Sequence, residues 1–295
     1  MFEINEQTIT EAVLERFADT PDPRLRTVMA SLIEHLHGFV RDVEPTFEEW
    51  QTAIATLTRI GHTCTDTRQE FILLSDVLGV SMLVDAINHR MPEGTTETTV
   101  LGPFHVADVP LCANGVDIGA GLPGERLFVS GRVNSADGRA LPGAVVEIWQ
   151  SDNDGFYDVQ RPELVGPSLR TRLRANDAGQ FHFWTIMPTS YPIPADGPVG
   201  DLLAATKRHA WRPAHLHFMI SAAGHAQLVT HIFVAGDDYL DSDAVFGVKA
   251  SLIQSFDRHF AGPAPDGTPV NGPWRSLDYA FGLKPVRVLA GAGAA

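Results

Sequence analysis

Residues 126–150 read RLFVSGRVNSADGRALPGAVVEIWQ, two short β-rich runs on either side of a turn of Gly, Asp and Pro. β-Branched and aromatic side chains alternating with polar ones fit half-buried strands, and the turn residues fit a hairpin connection. The texture recurs in GQFHFWTI (179–186), HLHFMI (215–220) and LVTHIFV (228–234), with a second hairpin-like turn at RANDAGQ (174–180). Short strands spaced by such turns predict an antiparallel β-sandwich of about 180 residues. It begins where MPEGTTETTVLGPF (91–104) changes the composition.

Upstream of that change the chain reads as helical. Leu25, Val28, Met29, Leu32, Ile33 and Leu36 recur at helical spacing, and Trp50, Ala53, Ile54, Leu57 and Ile60 do the same. Asp22 before Pro23 predicts an N-cap with proline in the first turn. Thr8 with Glu11, and Thr46 with Glu49, have capping-box spacing. The segment DVLGVSMLVDAINHR (76–90) is apolar nearly all round, so it is expected to be buried or to lie at a subunit contact. The class is therefore mainly β with an α-helical N-terminal region, helical over 1–95 and sandwich over 96–285.

The 295 residues suit one large domain or two unequal ones, and a hydrophobic fraction of 44% is enough for a real core. A formal charge of −14 argues against a nucleic-acid partner, which needs a basic face. Two cysteines, Cys64 and Cys112, make no disulfide framework and point to a reducing cytoplasm. The opening MFEINEQTITEAVLERF lacks an apolar signal core, and no stretch reaches the length of a membrane span. The tail VLAGAGAA (288–295) is unpatterned and is expected to fray. No internal repeat is visible.

The spelling His-Leu-His occurs twice, and geometry separates the copies. His35 and His37 lie on a helical stripe, where residues two apart point to nearly opposite sides. His215 and His217 lie on a strand, where alternation puts both imidazoles on one face. Alone, the pair is a weak signal and reads more readily as two structural histidines. Tyr157 closes the turn SDNDGFY, and Tyr191 sits in PTSYPIP between stiffening prolines. Each is either a loop-pinning hydroxyl or a phenolate ligand. Two imidazoles with two phenolates would make a hard, anionic N₂O₂ set that favours a trivalent cation such as Fe(III). Zinc would be expected to bring Cys, a third His or a carboxylate.

The order Tyr157 … Tyr191 … Arg212-Pro-Ala-His215-Leu-His217 resembles that of the intradiol ring-cleavage dioxygenases. GPFHV (102–106), LPGAVVEIWQSDNDGFYD (141–158) and GQFHFWTIMPTSYPIP (179–194) extend the resemblance, and the N-terminal helices resemble the linker and dimer region of the catechol-type branch. FWTIMPTSYPIPADGPVGDLL and THIFVAGDDYLDSDAVFGVK look most like the hydroxyquinol-cleaving members. His231 stands where catechol-cleaving relatives usually carry Gln.

The resemblance implies a non-haem Fe(III) held by Tyr157, Tyr191, His215 and His217. It implies O₂-dependent cleavage of an aromatic diol or triol between its hydroxyl-bearing carbons, with Tyr191 taking a substrate proton. By spacing alone, Arg212 lies on the opposite strand face from His215 unless Pro213 bends the chain, and reads as a surface arginine paired with an acid. The resemblance places it by the substrate, as electrostatic support. His231 is either a satisfied strand histidine or a polar contact to substrate. The resemblance implies a substrate wall of Leu73, Asp76, Val100, Gly102, Phe104, Ile193, Pro194 and Val245. Ser75-Asp76 also reads as an N-cap for the next helix. In the functional reading the Asp76 carboxylate accepts a hydrogen bond from the third hydroxyl of hydroxyquinol. A homodimer through the N-terminal helices, with phospholipid trapped between them, is implied too. Cleavage of catechol or a chlorocatechol stays open, as does a zinc-binding or non-enzymatic sandwich.

Overall fold

The computed structural model describes residues 3–66 and 68–286, so the tail expected to fray lies outside the described residues. The chain forms two compact units, Met1–Arg59 and Ile60–Ala295.

The first unit holds α1 (Ile9–Phe17), α2 (Pro23–Val43) and most of α3 (Phe47–Thr63). Asp22 caps α2 as expected, its carboxylate accepting from Arg24 N at 2.8 Å and Leu25 N at 3.2 Å. Thr46 and Glu49 close a reciprocal capping box, with Glu49 N donating to Thr46 Oγ1 at 3.2 Å and Thr46 N to Glu49 Oε2 at 2.8 Å. Thr8 does not cap α1. It already has helical dihedrals, and its hydroxyl donates to the Glu3 carbonyl instead. His35 bonds within α2 to Ser31 O, whereas His37 meets Thr10 of α1. The apolar stripes stay open to solvent at Leu25, Val28, Leu32 and Leu36 on α2, and at Trp50, Ile54 and Leu57 on α3.

The second unit opens with α4 (Glu70–Val77) and α5 (Val80–Asn88). Gly79, in the left-handed region at φ 73°, breaks the apolar segment between them. That segment is only partly buried: Val77 and Met82 are covered, while Leu78, Val80, Leu83, Val84 and Ile87 are exposed. The N-cap reading of Ser75-Asp76 is corrected, because both residues lie inside α4 and Gly79 holds the cap position of α5.

The sandwich strands are β1 (Arg126–Ser135), β2 (Val145–Trp149), β3 (Arg170–Arg174), β4 (Gln180–Ile186), β5 (Tyr191–Pro192), β6 (Trp211–Arg212), β7 (His215–Ser221), β8 (Leu228–Val234), β9 (Ile253–Gln254), β10 (Asp257–His259), β11 (Gly262–Pro263), β12 (Pro269–Val270) and β13 (Trp274–Leu283). A further helix, α6 (Pro198–Ala205), follows β5. One sandwich sheet has the order β10-β13-β1-β4 and the other β3-β2-β7-β8-β9, while β5-β6 and β11-β12 form separate two-stranded sheets. The expected antiparallel topology is corrected to mixed, because β1 pairs with β13, and β8 with β9, in parallel. Both predicted hairpins are corrected as well. The turns form, but each carries the chain from one sheet to the other, joining β1 to β2 and β3 to β4. An inward residue alternates identically whether its chain neighbour lies beside it or across the core, so the pattern could not distinguish the two.

Leu127, Val129 and Val133 of β1, Phe181 and Phe183 of β4, and Leu216, Phe218 and Ile220 of β7 meet in the inter-sheet core. Each such side chain contributes about 1.5–3 kcal/mol by leaving water. Because β7 gives its even-numbered residues to that core, His215 and His217 point out of the opposite face.

Candidate active site

Three strands set a row of rings on that outer face. In register, Trp149 of β2 stands opposite His217 of β7, which stands opposite His231 of β8. The Trp149 indole stacks on His217 at 4.6 Å between centroids and fixes the plane of the imidazole. The two tyrosines arrive from elsewhere. In SDNDGFY, Asp152 Oδ1 accepts from Asp154 N and Phe156 N, and Gln160 Oε1 accepts from Tyr157 N, so the turn aims Tyr157 inward. Tyr191 sits on β5, paired with Arg212 on β6. Between β6 and β7 the chain passes from one sheet to another across Pro213 and Ala214, and Arg212 Nη1 lies 3.5 Å from His215 Nε2. A break at Pro213 was the condition on which the sequence left the face of Arg212 open.

Four donor atoms converge. Tyr157 Oη lies 2.9 Å from His217 Nε2 and 3.1 Å from Tyr191 Oη, and the Nε2 atoms of His215 and His217 are 3.2 Å apart. Two ligands bound at about 2.0–2.2 Å and near right angles lie roughly 3 Å apart, so these separations fit one shared ion. His215 Nδ1 donates to the Pro213 carbonyl at 2.7 Å, which leaves Nε2 with its lone pair facing the cluster. Burial, then the Arg212 charge, lowers the His215 pKa to about 3, and burial likewise drives His217 and His231 well below the usual histidine range. The imidazoles are therefore neutral and free to bind a cation. Burial, then Tyr191, pushes the Tyr157 phenol well up, so its ionisation there calls for a positive centre close by. Among the described residues, His215, His217 and His231 also offer ring nitrogens within 4.8 Å of one another.

Beside the cluster is a cavity of about 220 Å³. It is smaller than the ~300–1,000 Å³ of sites for drug-sized ligands, and suits a single small ring. All eight expected wall residues line it: Leu73, Asp76, Val100, Gly102, Phe104, Ile193, Pro194 and Val245. Tyr191 and Arg212 line it too, whereas His231 does not and is fully buried. Gly102 is required twice over. Its φ is 77°, and an added Cβ would sit 3.3 Å from His217 Cε1. Phe104 stacks on Tyr157 at 4.5 Å, and Arg170, ion-paired with Asp158, holds the Phe104 carbonyl at 3.0 Å. Burial, partly relieved by Ser81 and Arg212, raises the Asp76 pKa.

Known proteins decide which chemistry this site belongs to. Residues 101–284 match a family model described as dioxygenase, and residues 22–96 match the catechol dioxygenase N terminus. A 6-chlorohydroxyquinol 1,2-dioxygenase of Cupriavidus pinatubonensis is 53% identical, covering 97% of this chain and 99% of its own. A hydroxyquinol 1,2-dioxygenase of Nocardioides simplex is 50% identical over 95% of this chain and 96% of its own. The chain belongs to the intradiol ring-cleavage dioxygenases. The crystal structure of a Pseudomonas putida hydroxyquinol 1,2-dioxygenase superposes with a TM-score of 0.91 at 46% identity, over 95% of this chain and 99% of that one. As an intradiol dioxygenase, the chain has a metal site and takes an aromatic substrate.

Several residues of this dioxygenase site were not picked out from sequence. Arg68, Glu70 and Gln160 also line the cavity, and Trp149 supports His217. The most consequential is Asp243, the buried partner of Arg212. Its surroundings, GDDYLDSDAV, offer Asp237, Asp238, Asp241 and Asp243 alike, and nothing in the spelling singles one out.

Proposed function

We propose that the protein is a hydroxyquinol 1,2-dioxygenase. It inserts both atoms of O₂ between the vicinal hydroxyl-bearing carbons of benzene-1,2,4-triol, giving 3-hydroxy-cis,cis-muconate, the enol tautomer of maleylacetate. The observation that carries the reading is Asp76: a buried carboxylate lining a small cavity that Tyr191 and Arg212 also line.

In this reading Tyr157, Tyr191, His215 and His217 hold Fe(III). Two phenolates offset most of the charge of a trivalent hard ion, and the tight spacing of these four donors favours them over the looser three-histidine set. When bound, ferric iron supplies the Lewis acidity that makes both diol hydroxyls acidic and primes the ring for O₂. Tyr191 Oη, at the edge of cavity and cluster, takes one of the departing hydroxyl protons. Asp76 accepts a hydrogen bond from the third hydroxyl and so orients the ring. Leu73, Val100, Phe104, Ile193, Pro194 and Val245 clamp its faces and exclude water, and Gly102 leaves room beside His217. Arg212 steadies negative charge growing on the ring carbon and oxygen, and His231, with Nδ1 3.5 Å from Arg212 Nη2, is the polar contact beside it. Residues 1–95 serve as linker and dimerisation region, and 96–285 as catalytic domain. The open stripes on α2 and α3 suit a cytoplasmic homodimer with phospholipid held in that apolar face. No helix among the described residues is long and apolar enough to cross a membrane.

The test is oxygen uptake on a panel of hydroxyquinol, catechol and chlorocatechol. Hydroxyquinol should give the highest kcat/KM, with maleylacetate as product. A higher value on catechol would overturn the substrate assignment while leaving the ring-cleavage chemistry in place.

A further inference from the structure

Arg212 carries five N–H donors and no acceptor, so the acceptors within reach decide its orientation. Asp243 supplies them. Its Oδ1 lies 3.1 Å from Arg212 Nε and its Oδ2 3.4 Å from Nη2. Both side chains are buried, at 4% and 2% exposure. The same carboxylate accepts from Val245 N at 3.3 Å and Gly247 N at 2.9 Å, so the backbone bearing the wall residue Val245 is organised around it. The fit leaves no space to spare: a Cβ on Gly247 would sit 3.0 Å from Arg212 Nη2 and 3.1 Å from Asp243 Oδ2. Asp76, unlike Asp243, lines the cavity together with Arg212. A guanidinium released from Asp243 would be drawn to its carboxylate, and an Asp76 paired with Arg212 has its charge offset and fewer lone pairs left for a substrate hydroxyl.

We propose that Asp243 is a positioning residue, which grips the Nε/Nη2 edge of Arg212, leaves Nη1 toward His215 and the cavity, and keeps Arg212 from pairing with Asp76. The proposal rests on the assignment of Arg212 to the substrate. Asp243 touches no reacting atom: it acts through Arg212, while its bonds from Val245 N and Gly247 N hold the carboxylate itself in place. It therefore influences two properties together: charge support during cleavage, and the preference for a ring bearing a third hydroxyl.

The test uses the full-length iron-loaded enzyme as Asp243→Asn, Arg212→Gln and the double variant. Asp243→Asn should keep iron and the visible band, since no ligand is altered. Its kcat on hydroxyquinol should fall about 10–100-fold, the size usual for loss of a supporting partner, with a smaller change in KM and a reduced preference over catechol. In the Arg212→Gln background the same change should cost less than about threefold, because the group it positions is gone. The double variant leaves no buried unpaired charge. If Asp243→Asn alone does not fold, comparing the double variant with Arg212→Gln still decides the matter. Losses that multiply in the double variant would overturn the proposal, as would a fully active Asp243→Asn beside a crippled Arg212→Gln. An Arg212→Gln variant of wild-type activity would instead strike down the role of Arg212 itself.

Discussion

Tyr157 Oη lies 2.9 Å from His217 Nε2 although sixty residues separate the two, and both side chains are shut off from solvent. A phenol and an imidazole buried together gain one hydrogen bond between them. Adding a second phenol and a second imidazole at the same spacing leaves more lone pairs than protons to fill them, which is the chemistry of a cation site.

The ligand assignment separates the four donors from the third histidine. Tyr157→Phe and His217→Ala should each lose iron, or lose the tyrosinate-to-iron charge-transfer colour, because each removes one of the four tightly spaced donors. His231→Gln should keep both while lowering turnover. Metal analysis with visible spectra is sufficient. If His231→Gln empties the site while Tyr157→Phe stays loaded, the metal is bound by the three histidines and the N₂O₂ set is wrong.

The oxidation state gives a second test. Phenolate donors stabilise the ferric state, so the pure protein should be red to brown and should turn over without added Fe(II). Dithionite should bleach it and stop oxygen uptake. A colourless protein that works only with freshly added Fe(II) would contradict the ferric assignment.

How much of this could be read in advance depends on the kind of regularity involved. The β7 alternation was legible because Leu216, Phe218 and Ile220 need the core, and His215 and His217 then share the other face by necessity. Asp22 before Pro23 was legible because capping is local. The partners of β1 were not, since its inward residues alternate the same way beside β13 as beside β2. Asp76 was misread as a cap because Gly79, three residues later, breaks the helix. Asp243 was invisible because its meaning comes from Arg212, thirty-one residues away, and from a Gly247 chosen for lack of space.

The apolar stripes of the first unit predict a self-association that can be undone. Leu32 and Ile54 are exposed on α2 and α3. If those faces pair two copies, Leu32→Glu with Ile54→Glu would bury charges in an apolar interface and should yield monomers by analytical ultracentrifugation. Unchanged sedimentation at dimer mass would place the interface elsewhere.

Asp76 joins specificity and stability in one measurement. A charge-assisted hydrogen bond from its carboxylate to the third hydroxyl is worth about 1.5–3 kcal/mol, or roughly one to two powers of ten in relative kcat/KM. Asp76→Ala and Asp76→Asn should both erode the preference for hydroxyquinol over catechol without loss of iron. Neither removes a helix cap, since Asp76 lies inside α4, 8% exposed. Stability should move the opposite way. Burial raises the folded pKa of Asp76 above its unfolded value of about 3.9, so in the window between them the native state binds more protons than the unfolded one. Stability is therefore lost as pH rises through that window. Asp76→Asn lifts this cost, so its Tm should exceed the wild type's at pH 7, and the gap should close below the unfolded pKa. A less stable Asp76→Asn at neutral pH would mean that Ser81 and Arg212 more than offset the burial of the charge. If both variants lose activity on the two substrates in equal proportion, the third hydroxyl is read by another part of the wall.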